Sequence, residues 1–141
     1  MDSNNIDKKL LFGWLLEHIF YSDGDAKRIS WIIQTEDSQV EQMREHAEIY
    51  FDKLNPEQSK YVALHVGLFW GIGTFTIKNN DSIKIMIDSK SMYENLAKNS
   101  GCSDKFIFSK TDFIKKLIGQ RKLNVSYHLI NNNENTATKL L

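Results

Sequence analysis

The spacing of apolar positions changes near residue 73 and predicts a chain of two different halves. Asp7 can cap a helix running to Tyr21, in which Leu10, Leu11, Phe12, Trp14, Leu15, Leu16, Ile19 and Phe20 cover most of the circumference. Such a helix wants burial on several sides. The Ser22-Asp23-Gly24-Asp25 turn ends it, and residues 26–34 read as a second short helix with Ile29, Ile32 and Ile33 on one side. Ser38 followed by Glu41 has capping-box spacing. Val40, Met43, Ala47, Tyr50, Phe51 and Leu54 follow at helical intervals, with Glu41, Glu45, Glu48 and Asp52 outward. Asn55-Pro56-Glu57-Gln58 stops that helix and can start another. Residues 61–73 are nearly all apolar, so periodicity does not separate helix from strand there. A helix through about Leu68 is the expectation, with Gly67, Gly71 and Gly73 allowing close approach or a break.

After residue 73 the alternation is of period two. Phe75 and Ile77, the turn residues Asn79-Asn80-Asp81, then Ile83, Ile85 and Ile87 predict a hairpin from Phe75 to Ile87 with the three isoleucines buried. Ser91 and Glu94 open a short helix to about Lys98. Phe106-Ile107-Phe108 reads as a short strand, and Ser109 or Thr111 caps a helix to Ile118 ended by Gly119. Leu123, Val125, Tyr127 and Leu129 give a final strand, and residues 131–135 a loop or frayed tail. The expectation is a single α/β domain over 1–141. A helical part (about 7–72) packs on a small, mostly antiparallel sheet (about 73–130), with a flexible tail over 131–141.

Composition narrows the class without naming an activity. The chain has 141 residues, 41% hydrophobic and 26% charged, which excludes a disordered tail protein or a fibrous repeat. Eighteen basic and eighteen acidic side chains cancel, so the strong field of a dedicated nucleic-acid binder is missing and no nucleic-acid partner is expected. The balance is uneven along the chain: residues 1–70 carry 7 basic and 12 acidic groups, residues 71–141 carry 11 and 6. Lys105, Lys110, Lys115, Lys116, Arg121 and Lys122 face one acid, Asp112. They read as solvated helix positions that complement the acidic half within a subunit or across a homodimer. One cysteine makes no internal disulfide, and no apolar signal segment or span of about 20 apolar residues occurs, so a cytoplasmic protein is expected.

Candidate chemistry is sparse. His18, His46, His65 and His128 show no metal-ligand spacing; His46, beside Glu45 and Glu48, reads as an exposed salt-bridging group, and His18 and His65 as core histidines. Cys102 has no local activating base, and neither a serine-nucleophile elbow nor a phosphate-loop motif is present. Arg121 and His128 have six residues between them, a spacing that resembles the Arg-x4–6-His pattern of HEPN-type ribonucleases. A strand would turn the two side chains to opposite faces.

Lys105-Phe106-Ile107-Phe108-Ser109-Lys110-Thr111-Asp112-Phe113-Ile114-Lys115-Lys116-Leu117-Ile118-Gly119 is similar to the strand, Ser-x-x-Asp-x-Phe-x-x-Leu helix and terminal glycine of sterol-carrier-protein-2-like (SCP2-like) domains. Arg121-Lys122-Leu123-Asn124 and Ala137-Thr138-Lys139-Leu140 resemble the segments that follow in that family. The resemblance implies an apolar tunnel that binds lipid-like molecules without chemistry. The expected function is therefore a non-enzymatic binding protein for an apolar or lipid-like small molecule, its site lined by Leu64, Leu68, Phe69, Trp70, Phe75, Ile77 and Ile85. No catalytic or metal-ligating residue and no cofactor are expected. A protein–protein adaptor or oligomerisation module is the alternative, and a HEPN-like ribonuclease the remote one.

Overall fold

Three strands stand where the first half of the sequence suggests helices. The computed structural model describes residues 15–141. Its chain runs through β1 (Glu17–Gly24), β2 (Arg28–Thr35), β3 (Ser38–Glu45), α1 (Pro56–Gly73), β4 (Ser82–Ile87), α2 (Lys90–Lys98), α3 (Lys105–Gln120) and β5 (Asn124–Leu129). Two short 3-10 turns, Asn132–Glu134 and Thr136–Leu140, close it. The class is α/β, as expected, and the five-stranded sheet has the order β3-β2-β1-β4-β5. β1–β2 and β2–β3 pair antiparallel, whereas β1–β4 and β4–β5 pair parallel, so the sheet is mixed. The start of the helix expected from Asp7 lies outside the described residues; its end is β1.

The pleat explains the change from helix to strand. Phe20 pairs with Ile33 and Ser22 with Trp31, which places Phe20, Trp31 and Ile33 on one face. Ile29, Ile32 and Ile33 fit a helical stripe equally well, and a strand buried on both sides satisfies either period. The second face is covered by the C-terminal segment, where the Ser30 hydroxyl donates to the Ala137 carbonyl at 2.7 Å. The segment expected as a frayed tail thus holds Asn135 and Ala137 buried. In β3 the Ser38/Glu41 spacing is coincidental. Ser38 pairs with Thr35 across a two-residue turn, and Val40 pairs with Ile33. The turn residue Glu36 adopts a left-handed backbone (φ 37°) without the Asn or Gly that usually announces such a hairpin. β3 is the sheet edge, and its exposed charges suit that place.

α1 settles the ambiguous apolar stretch as a helix, longer than expected. Asn55 and Gln58 form a reciprocal capping box, with Pro56 at the first helical position. Tyr61, Val62, Ala63, Leu64 and Leu68 are buried between the sheet and α3. Ile83, Ile85 and Ile87 are buried on β4 with Lys84 exposed, but there is no hairpin. Residues 74–81 form a connection, and β4 pairs with β1 and β5 instead. Phe106-Ile107-Phe108 belongs to the first turn of α3. The Asp104 carboxylate accepts from the Phe106 and Ile107 amides (2.8 and 3.1 Å), and the helical run of Ile107, Thr111 and Ile114 outweighs local β propensity. α2 is capped by Ser89, two residues before the expected Ser91.

Between α1 and α3, His65 stacks on Phe113 with ring centroids 5.6 Å apart and planes 10° from parallel. Burial, aided by the Lys110 charge, holds its pKa below the ordinary 6.5. The unfolded chain therefore takes up a proton first on acidification, and stability falls as pH drops through the ordinary value towards the folded one. His65→Leu is expected to reduce the loss of stability between neutral pH and about pH 5, read as the difference in urea midpoints from wild type. Equal losses in the two proteins would exclude His65 as a source of the acid sensitivity.

Candidate functional site

The sheet reverses its direction of growth at β1. β2 and β3 extend it to one side, and the α1 crossover carries the chain to β4 on the other. In open α/β sheets such a switch point leaves a crevice beyond the carboxyl ends of the two parallel strands. Asp23 is the penultimate residue of β1 and Asp88 directly follows β4, so both carboxylates meet at that place.

Lys60 reaches the same point from α1. Its ammonium donates to Asp23 Oδ1 at 2.7 Å and to Asp88 Oδ1 at 2.9 Å. The lysine side chain is 19% exposed, and those of Asp23 and Asp88 only 8% and 5%. Close packing aims it there: a Cβ on Gly24 would stand 2.7 Å from the Ser59 carbonyl oxygen, so the end of β1 rests against the start of α1. The Ser59 hydroxyl donates to the Asp25 carbonyl (2.7 Å), and His46 Nε2 lies 2.7 Å from that hydroxyl. His46 is thus buried and joins the β1–β2 turn to α1, in place of the exposed helical role expected of it. Burial works against the Lys60 charge, but its hydrogen bonds to Asp23 and Asp88, with their negative charges, outweigh it and raise the pKa above 10.5. The amine is charged at neutral pH.

The C-terminal segment completes the cluster. Thr138 Oγ1 donates to Asp23 Oδ2, and Asn135 Nδ2 donates to Asp88 Oδ2 at 3.0 Å and to the Ser22 carbonyl at 2.9 Å. Asp23 Oδ1 also accepts the Gly24 amide at 2.8 Å. Every oxygen of both carboxylates therefore has a donor. Alongside, Glu57 accepts from the Ser89 and Ser91 hydroxyls, each at 2.8 Å. Gln58 Nε2 donates to Asp104 at 3.0 Å, so the amino ends of α1, α2 and α3 gather at one end of the molecule.

No family model matches the sequence, and no curated protein matches it. Its backbone does have counterparts among solved structures. An RNase H1 from a compost metagenome, solved in complex with an RNA/DNA hybrid, superimposes with a TM-score of 0.72 at 16% identity, over 87% of this chain and 92% of that one. The fold is RNase H-like. The N-terminal RNase H domain of a Mycobacterium tuberculosis protein (TM-score 0.68, 14% identity, 89% and 90% covered) agrees. So does an RNase H1 from Halobacterium salinarum (0.61, 16%, 90% and 94%).

These likenesses overturn the SCP2-like resemblance, whose Phe106-Ile107-Phe108 strand is helical here. They conflict with the expected lipid-binding role and with the adaptor alternative. They also conflict with the expectation that the protein is not an enzyme, because the RNase H-like neighbours are enzymes, and with the exclusion of nucleic acid, because one neighbour holds a hybrid. The HEPN alternative fails on geometry as well: Arg121 ends α3 and His128 lies on β5.

Of the residues expected to line a ligand site, Leu64, Leu68, Ile77 and Ile85 come together as packed core, at 1% exposure or less, while Phe69 and Phe75 are 67% and 78% exposed. Trp70 packs against that core and borders an open pocket of about 390 Å³ with Trp31, Tyr50 and Val66. Asp23, Lys60 and Asp88, which the fold does bring together, carry no motif in the sequence: Asp23 reads as a turn residue, and Lys60 and Asp88 stand in no recognisable pattern. A signal is present, since Asp23 and Asp88 each stand near the carboxyl end of a strand-length segment rich in apolar residues.

Metal-assisted phosphodiester hydrolysis uses carboxylates that clamp divalent cations. The donor set here does not fit one. Among the described residues no group of three His, Cys, Asp or Glu side chains could hold a metal ion. The gap between Asp23 and Asp88 is filled by the Lys60 ammonium. A divalent ion about 3 Å from that ammonium would be repelled by roughly 10 kcal/mol at an effective dielectric constant of about 20. No step through a metal is derived for this site.

Proposed function

We propose that the chain acts on nucleic acid, engaging an RNA/DNA hybrid or similar duplex across the end of the sheet where Asp23, Lys60 and Asp88 meet. The observation that carries this reading is the position of that charged cluster at the β1/β4 switch point of an RNase H-like fold. Physical support comes from the helix ends. The amino termini of α1, α2 and α3 lie around the cluster, and their amide groups and dipoles favour phosphate. Lys90 and Lys105, exposed in the first turns of α2 and α3, add positive charge at the same end. The neutral overall balance that argued against nucleic acid averages over the whole surface, whereas backbone binding depends on the local field.

The test is fluorescence anisotropy with a short labelled RNA/DNA hybrid, with duplex RNA, duplex DNA and single strands as competitors, and product analysis on the same samples. Saturable hybrid binding that weakens with salt is expected. The double reversal Lys90→Glu and Lys105→Glu should lower affinity and reduce the salt slope by about 1 per lysine. Absence of saturable binding to any duplex at low salt would remove the proposal.

A further inference from the structure

We infer that Lys60 is the resident cation of the Asp23–Asp88 site: its ammonium stands where a divalent ion would bridge the two carboxylates, and removing it turns the pair into a divalent-cation site. This inference stands apart from the nucleic-acid reading.

The geometry points to it in three ways. The ammonium is shared, at 2.7 Å from Asp23 Oδ1 and 2.9 Å from Asp88 Oδ1, and so it bridges carboxylates from two adjacent strands. That is the bridging position a small hard cation takes between carboxylates. The second carboxylate oxygens are occupied by Thr138 and Asn135, both on the C-terminal segment, which leaves the two Oδ1 atoms to share the ammonium. Lastly, the position is built by the backbone. The contact of Gly24 with Ser59 fixes where α1 begins relative to β1, and Lys60 follows Ser59 directly. Without the ammonium, two carboxylates largely shielded from water would face each other with no positive charge between them. Each would have to be protonated or gain a cation.

Two mechanisms could keep the wild-type site free of metal, and they differ in outcome. A merely crowded site would stay empty after Lys60 is neutralised. A site occupied by its own cation would open. Lys60→Met removes the charge and keeps most of the aliphatic stem. The probe is Mn²⁺ itself, followed by electron paramagnetic resonance and by isothermal titration in the absence of any nucleic acid. Wild type is expected to show no binding that depends on Asp88. Lys60→Met should take up one Mn²⁺ at least about tenfold more tightly than wild type, with a rise in melting temperature on adding the ion. The double variant Lys60→Met, Asp88→Asn should lose that gain. Lys60→Gln serves as a second neutral variant should the methionine protein fail to fold, and circular dichroism establishes folding in each.

A measurement on the unmodified protein stands independently of any variant. In ¹⁵N NMR the Lys60 ammonium should neither broaden nor shift when Mn²⁺ is added. Paramagnetic broadening centred on Lys60 in wild type would overturn the proposal. So would a folded neutral variant that binds Mn²⁺ no better than wild type.

Discussion

Asp81→Ala is expected to cost about 3–5 kcal/mol of folding stability, since it removes the acceptor of three hydrogen bonds at about 1–3 kcal/mol each. Asp81 is fully buried and so is its partner, with Asp81 Oδ2 lying 2.8 Å from His18 Nε2. The same oxygen accepts the Lys78 amide at 2.8 Å, and Oδ1 accepts the Leu16 amide at 3.1 Å. One carboxylate thus ties the chain entering β1 to the connection that precedes β4. Facing a carboxylate, His18 Nε2 donates, and Nδ1 meets the Thr35 hydroxyl at 2.6 Å. Alanine would leave a buried ring N–H and two part-buried backbone amides without their acceptor. Asp81→Asn retains one acceptor oxygen and should lose less. Urea denaturation of the two variants measures the difference. A loss below about 1 kcal/mol for Asp81→Ala would mean that the ring N–H and the two amides find other partners.

The legible and illegible parts of this sequence divide along burial. β4 and β5 were read with nearly correct bounds, since Ile83, Ile85 and Ile87 alternate with polar or less buried residues in the sequence itself. α1 and α2 were legible from their caps, Asn55 with Gln58 and a serine near residue 90. β1 and β2 were not. Both of their faces are covered, by α1 on one side and by the C-terminal segment on the other, so apolar residues run together and every third or fourth position is also filled. Covering by a distant segment is not a local property. The Ser30 to Ala137 hydrogen bond spans most of the chain, and no window of residues announces it.

The site was hidden for a related reason. Asp23, Lys60 and Asp88 are far apart in sequence, and their meaning comes from strand order. Only when β1 and β4 are known to be parallel neighbours do the aspartates at their carboxyl ends become a pair. The counting of charges misleads here too. Two acids and one base enter the net balance as an excess of one negative charge, whereas in space they form a closed, largely buried group with every carboxylate oxygen bonded.

Gly67→Ala should be the most damaging single-methyl addition in α1. A Cβ there would stand 2.6 Å from Phe20 Cζ and 2.9 Å from Trp31 Cγ, both inside ordinary contact and both rings fully buried. Phe20 is fully buried against α1, and Trp31, which borders the open pocket, packs on Trp70 with centroids 5.8 Å apart. The methyl must displace these rings or shift α1 against the sheet, and overpacking of this kind costs about 1–3 kcal/mol. Alanine's better helix propensity returns up to about 1 kcal/mol, so a net loss of roughly 1–2 kcal/mol is expected. Gly119→Ala is the control. It adds the same methyl near the end of α3, where a Cβ meets nothing within 4 Å, and should be neutral or slightly stabilising. The displacement carries a second consequence, because α1 also holds Lys60 against Asp23 and Asp88. Lifting the helix at Gly67 should loosen that grip, so the variant's Lys60 ammonium protons should exchange with water faster than in wild type. Denaturant midpoints for the two glycine variants, with exchange at Lys60, test both steps. A Gly67→Ala protein as stable as the Gly119→Ala protein would mean that α1 does not rest on the sheet at this point.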